Sequence, residues 1–307
     1  MCEHRIEAEP HAQAFVKIVL RTPLMRSTCL AVFQWLADIM AAAMAGLGRF
    51  GLMMTPINDP EGVLDRLGDE IHVWWCRLDP SVEIVEYYRS LLAPDDQMRI
   101  QRLKTRQLRN RHTVAKGTLL SLISFYTNQS PHQIEIEPPL FHKPALAERT
   151  NPGGLQFSIS YSKHIAVYAF ARKRLLGVDV EEVVPMSDWQ LLAGLCLSDY
   201  EQEWFRQLAP EAKPDTLLAI WTVKEAYLKA IGTGLAIPPA SVELAFTQTD
   251  GFRLHKTPDQ YNRGRSWRIF LLFPVSGFAA AVVAEAGPDS LHCFCWEHAN
   301  CRTAPAP

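Results

Sequence analysis

From Glu70 onward the chain alternates between short apolar runs of period two and longer stretches of period near 3.6. Residues 71–76 (IHVWWC) read as a strand closed by the turn pair Asp79-Pro80. Residues 95–128 read as a basic helical stretch. Arg99, Arg102, Arg106, Arg109 and Arg111 punctuate its first half, and Val114, Thr118, Leu119, Leu122 and Phe125 recur at helical spacing in its second. Residues 134–137 predict a short strand, and Pro138, Pro139, Pro144 and residues 151–154 (NPGG) bracket a loop. Residues 157–162 and 165–171 predict two strands joined at Lys163-His164, with a third at 176–181. The texture then turns helical over 188–194, 198–208 and 216–231. Ser198 and Glu201 form a capping box, and Gly232 and Gly234 end the last helix. Strands follow at 242–247, 266–273 and 277–284. Helices and antiparallel strands thus occur twice in similar order, which predicts an α+β fold of two halves. The expected division is an extension over 1–69, halves over 70–173 and 174–290, and a tail over 291–307.

The first fifty residues differ from the rest. Residues 29–50 (CLAVFQWLADIMAAAMAGLGRF) are the most apolar run, long enough to raise the question of a membrane span. Gln34 and Asp38 interrupt it, and a charge at the centre of a spanning helix costs about 2.5–3.5 kcal/mol. Glu3, Glu7 and Glu9 give the start the wrong sign for a signal peptide. Three readings stay open: a membrane or interface anchor, a helix packed on the body, and an unstructured extension upstream of a true start at Met53 or Met54. The expectation is no membrane partner.

Charge changes the picture by exclusion. Lys+Arg 31 against Asp+Glu 33 leave −2, which removes nucleic-acid binding by bulk charge. Seven cysteines, an odd and scattered set, predict a reducing, cytoplasmic setting rather than a disulfide framework.

Candidate chemistry gathers in four places. Asp179 and Glu181 alternate on one strand, so both side chains point to one face about 6.5 Å apart along the backbone. Two carboxylates there repel by about 3 kcal/mol at 5 Å and an effective dielectric of 20, and oxygen donors of this kind suit Mg²⁺. A solvated acidic pair is the plainer alternative. In residues 221–232 (WTVKEAYLKAIG), Trp221, Lys224, Glu225, Leu228 and Lys229 fall within an arc of about 140° on a helix. That mixture suits a carboxylate beside phosphate-binding ammonium groups, or else a surface Glu225–Lys229 pair. Ser158, Ser160 and Ser162 share one face of a strand, where they could hold phosphate oxygens or simply line a polar face. Lys143-Pro144 lies in the preceding loop.

Taken in order, FSISYS, LGVDVE and WTVKEAYLKAIGTGL resemble the 4′-phosphopantetheinyl transferases of the Sfp type, whose pattern is F-[NS]-[IL]-S-H-S, [VI]-G-[IV]-D-[IV]-E and W-[ST]-x-K-E-[AS]-[YF]-x-K-x-x-G-x-G-L. Residues 94–120 also look like that family's arginine-rich first helix, and the likeness spans roughly 70–285. The resemblance implies a pseudo-dimer of two similar α+β halves with the active site, and coenzyme A, in the cleft between them. It implies an activity of the holo-acyl-carrier-protein synthase type. A serine of an apo acyl or peptidyl carrier protein attacks the phosphate bearing pantetheine, and adenosine 3′,5′-bisphosphate leaves.

By position in the motifs, Asp179, Glu181 and Glu225 would hold Mg²⁺, and Glu225 would also take the serine proton. Lys224 and Lys229 would contact the phosphates, Lys143 the adenosine phosphate end, and Ser160 would be the pocket serine. Arg99 and Thr113 align loosely with nucleotide-contacting positions. The resemblance further implies a monomer, with a carrier docking near residues 191–204. Two positions depart from the pattern. Tyr161 replaces the family's His, and a phenol carries no positive charge near neutral pH. His142 replaces the usual Gly before Lys143.

Two other readings compete with the transferase: another Mg²⁺-dependent phosphoryl-transfer enzyme such as a nuclease, and a degenerate transferase kept as a carrier-binding module. The cluster His292, Cys293, Cys295, His298 and Cys301 raises zinc, although C-x-C on a strand is ordinary alternation and the spacing fits no standard site.

Overall fold

Apolar residues on both faces of the central strands dictate the architecture. In the computed structural model, β1 (Ile71–Arg77) is followed by α1 (Val82–Leu91), α2 (Pro94–Gln101), α3 (Arg106–Thr127), β2 (Ile136–Glu137), β3 (Ala145–Leu146), β4 (Leu155–Ser162), β5 (Ile165–Arg172) and β6 (Leu176–Glu182). Then come α4 (Trp189–Cys196), α5 (Asp199–Phe205), α6 (Lys213–Ala230), β7 (Glu243–Thr247), β8 (Gly251–Lys256), β9 (Trp267–Leu272), β10 (Phe278–Glu285) and β11 (Leu291–Cys295). The structure describes residues 67–137, 143–184, 189–247, 251–258, 264–287 and 290–298. The apolar run 29–50, the starts at Met53 and Met54, His142 and Cys301 lie outside the described residues.

One sheet has the order β11-β1-β5-β4 and a second β6-β10-β9. Their inner faces meet through Ile71, Val73, Val167, Ala169, Val178, Val180, Ala280 and Val282, all buried. On the outer face of the first sheet, Trp74, Cys76, Phe157 and Tyr168 pack with Tyr88 of α1 and Leu119, Leu122 and Ile123 of α3. On the outer face of the second, Ala281 and Val283 pack with Ile220, Val223 and Tyr227 of α6. The result is four layers, helix–sheet–sheet–helix, in an α+β fold. β5 is buried along nearly its whole length because it is central and covered on both faces. Among the described residues no helix is long and apolar enough to cross a membrane.

Several expected boundaries move. The basic stretch 95–128 is two helices, broken where the Thr105 hydroxyl caps α3 by accepting from Leu108 N at 3.1 Å. α1 and β8 were not read from the sequence. The tail expected from 291 is corrected over 291–295. There β11 runs parallel to β1, with Val73 opposite Cys293, and so completes the sheet of the first half. Cys293 is buried and Cys295 half-buried, and the two share one face of β11 because they stand two residues apart on a strand. Among the described residues no group of three or more His, Cys, Asp or Glu side chains is placed to hold a metal ion.

Candidate active site

The site forms where β4, β6 and α6 converge. β4 and β6 are edge strands of different sheets, and serine hydroxyls join them in place of a backbone ladder. Ser158 Oγ accepts from Val178 N at 3.1 Å, and Ser162 Oγ accepts from Glu182 N at 3.3 Å. Between these, Ser160 Oγ donates to Asp179 Oδ1 at 2.8 Å. The serine face read from the sequence is therefore a polar seam between the two sheets.

Gly177 sets the distance from this seam to α6. A Cβ at position 177 would lie 2.0 Å from the carbonyl oxygen of Ala226 and 2.5 Å from the nitrogen of Ala230. Only a residue without a side chain lets β6 lie directly on the helix backbone. The glycine thereby brings Asp179 and Glu181, two and four residues on, beside the helix that carries Trp221, Glu225 and Lys229.

Lys229 Nζ donates to Asp179 Oδ1 at 2.6 Å and to Ser160 Oγ at 2.8 Å. Its side chain keeps 27% exposure against 5% for Asp179, so the lysine lies at the edge of the cluster that borders solvent and the aspartate lies inside it. Glu181 is held at both oxygens: the Trp221 indole N–H donates to Oε1 at 3.3 Å, and the Ser162 hydroxyl to Oε2 at 3.2 Å. Asp179 Oδ2 and Glu225 Oε1 are buried with no hydrogen-bond partner. Buried polar atoms are nearly always satisfied, so two orphaned acceptors in one cluster need a physical account.

Electrostatics points the same way. Burial pushes the Asp179 carboxyl above its ordinary range, against the opposing pull of Lys229. Glu181 is raised by burial and then by the charge of Asp179, and Glu225 likewise by burial and then by Asp179. Three mutually repelling carboxylates face one ammonium, a cluster short of positive charge. As they stand, the three carboxylates are not a group placed to hold a metal ion, and a cation would have to draw them together.

The other expected site residues fall in different places. Lys224 is corrected: it does not face the cluster. It is wholly buried, and its Nζ donates to Glu201 Oε2 at 2.5 Å and to the Cys196 carbonyl at 2.6 Å. Glu201 is also fully buried and further accepts from Ser198 N and Leu244 N, each at 2.8 Å. Lys224 and Lys229 lie at opposite borders of the 140° arc, so they face different neighbours. The capping box at Ser198 and Glu201 gives no sign of this pairing, because its four residues do not show that the cap is buried.

Lys143 donates to the Leu176 carbonyl at 2.9 Å, near the start of β6 and the turn at Gly232, and burial lowers its pKa to about 8. Thr113 is buried and its hydroxyl donates back to the Arg109 carbonyl at 2.9 Å, so its oxygen is not presented to a cleft. Arg99 is exposed in the last turn of α2. Tyr161 points to the opposite face of β4 from Ser160. Its ring meets His112 edge-on at 5.1 Å between centroids, with its hydroxyl 3.5 Å from Nδ1. Burial lowers the pKa of His112 and raises that of Tyr161, so this pair favours the neutral state.

Leu191 and Leu195, 73% and 70% exposed, stand one turn apart on α4. Beside this helix Trp189, Leu197, Phe205, Arg206 and Lys213 line a cavity of about 260 Å³.

Comparison with known proteins matches residues 175–283 to the 4′-phosphopantetheinyl transferase superfamily. The chain is 33% identical over 224 residues to the 4′-phosphopantetheinyl transferase HetI of a Nostoc species, covering 73% of this chain and 91% of that one. It is 23% identical over 182 residues to the 4′-phosphopantetheinyl transferase Sfp of Bacillus subtilis, covering 59% and 78%. Among solved structures, the holo-[acyl-carrier-protein] synthase of Thermotoga maritima matches at a TM-score of 0.30 and 26% identity, over 37% of this chain and 63% of that one.

Proposed function

The chain belongs to the 4′-phosphopantetheinyl transferase superfamily, and from that premise we propose that it moves 4′-phosphopantetheine from coenzyme A to a serine of an apo carrier protein. In this reading the serine oxygen bonds to the phosphorus that bears pantetheine. The bond from that phosphorus to the bridging oxygen breaks, and adenosine 3′,5′-bisphosphate departs. The activity is of the holo-acyl-carrier-protein synthase type.

The observation that carries the proposal is the pair of buried, unpartnered oxygens, Asp179 Oδ2 and Glu225 Oε1, in a cluster short of positive charge. Hard oxygen donors with an unmet charge fit Mg²⁺, and Asp179, Glu181 and Glu225 are the residues that would hold it. A bound Mg²⁺ would supply electrostatic stabilisation of the charge that develops on the bridging oxygen.

The protein's own groups do the rest. Lys229, partly exposed, turns its one remaining N–H donor to a phosphate oxygen while Asp179 and Ser160 hold it in place. Glu225 accepts the proton of the attacking serine. Its raised pKa moves it toward the range in which a base works near neutral pH. Lys143 has donors left beyond its bond to the Leu176 carbonyl and suits the adenosine phosphate end. The exposed apolar face of α4, with Arg206 and Lys213 beside it, suits a carrier that offers apolar side chains next to acidic ones.

The test uses coenzyme A labelled in its pantetheine part, a panel of apo carriers and Mg²⁺. Label should appear on the carrier in step with adenosine 3′,5′-bisphosphate, and Glu225→Gln should abolish both. Label transfer unaffected by Glu225→Gln would remove Glu225 from the chemistry. No transfer to any carrier by folded protein would overturn the reading.

A further inference from the structure

Of the three carboxylates in the cluster, Glu181 alone has a neutral donor on each oxygen. The Ser162 hydroxyl holds Oε2 at 3.2 Å and the Trp221 indole N–H holds Oε1 at 3.3 Å. These donors come from different elements, β4 and α6, and reach across the same seam to a residue of β6. Neither is an ammonium, so neither neutralises Glu181.

The arrangement has a physical purpose. Glu181 is half-buried near two other carboxylates, and the charge of Asp179 opposes its ionisation. A glutamate side chain with three rotatable bonds relieves such repulsion by swinging toward solvent. Asp179 is prevented from doing so by burial and by Lys229. Glu181 has only its two neutral donors. Each donor uses one lone pair of one oxygen and leaves the others available.

We propose that Ser162 and Trp221 are positioning residues that keep Glu181 beside Asp179 instead of letting it swing to solvent, so that it can close on a divalent cation as a third carboxylate. This rests on the metal reading given under Proposed function. Trp221 therefore acts through its N–H as well as its packing against the core of the second half. Ser162 acts through a hydroxyl that also accepts from Glu182 N and so ties the strand bearing Glu181 to β4.

The experiment titrates Mn²⁺ into the full-length, coenzyme A-free protein and follows free Mn²⁺ by electron paramagnetic resonance. Wild type is compared with Glu181→Gln, Ser162→Ala, Ser162→Thr and Trp221→Phe, with circular dichroism to confirm folding. Removing groups that orient metal ligands typically weakens metal affinity by about 10–100-fold. Ser162→Ala and Trp221→Phe should each raise the Mn²⁺ dissociation constant by about tenfold. Ser162→Thr, which keeps the hydroxyl, should restore wild-type affinity, a rescue that lost packing alone would not produce. If Glu181→Gln weakens binding while Ser162→Ala and Trp221→Phe match wild type, the positioning role is wrong and the metal reading stands. If wild type binds no Mn²⁺, both fail together.

Discussion

Lys224→Met separates the two roles open to a lysine in the W-x-x-K-E segment. Lys224 and Glu201 are each fully buried and meet at 2.5 Å. Methionine keeps the unbranched stem and nearly the same volume, so the change removes a charge without opening a large cavity. Glu201 would remain buried with only the N–H groups of Ser198 and Leu244 as donors. Removing one partner of a buried ion pair costs about 3–5 kcal/mol. That is a large share of a total stability of about 5–15 kcal/mol. With a shift of about 2–4 °C per kcal/mol for a chain of this size, Tm should fall by roughly 6–20 °C. Urea denaturation at neutral pH gives the free energy directly, and kcat and KM for coenzyme A are measured on the fraction that stays folded. The double variant Lys224→Met with Glu201→Gln should recover part of the loss, because it leaves no uncompensated charge. Unchanged stability combined with a raised KM for coenzyme A would refute the buried-pair assignment and return Lys224 to the phosphates.

Other consequences are equally open to measurement. Gly177→Ala places a methyl group 2.0 Å from the Ala226 carbonyl; pushing β6 off α6 should cost about 1–3 kcal/mol or more. The displaced carboxylates should also lower kcat/KM by about a hundredfold, since misplacement by about 1 Å is enough. Burial lowers Lys143 to about 8 from an ordinary 10.5, so between those values the unfolded chain holds the proton that the folded chain has lost. This residue's contribution to stability therefore rises with pH across that window. Denaturation of wild type and Lys143→Met from pH 7 to 10 should show their difference growing in favour of wild type. Tyr161→His should leave transfer intact or raise it, because it returns an imidazole to the position; a hundredfold loss would show that the phenol has its own role.

The strands nearest the chemistry were legible because their patterns are local. FSISYS and LGVDVE each set alternate side chains on one face, and the structure uses those faces as the seam. The capping box at Ser198 and Glu201 was read correctly, but its second function was hidden. Nothing in four consecutive residues says that the cap is buried and that its cation stands 23 positions away. α1 was missed although Val85, Tyr88 and Leu91 follow a three-residue spacing, because the adjoining turn pair and loop masked a short helix. β11 was read as tail because its parallel partner β1 stands some 220 residues earlier, a relation with no local signature. Lys224 was misassigned for a geometric reason: a helical arc of 140° is wide enough for its borders to face different layers. Gly177 looked like a motif glycine and proved to be the spacer that lets a strand touch a helix.

The central claim is that the cluster of Asp179, Glu181, Glu225 and Lys229 carries phosphopantetheinyl transfer. The most direct measurement is the intact mass of an apo carrier protein after incubation with this protein, coenzyme A and Mg²⁺, with Asp179→Asn and a chelator-treated sample alongside. A mass gain of one phosphopantetheine with wild type, absent in both controls, is the predicted result. An equal gain with Asp179→Asn, or in the presence of chelator, would contradict the account.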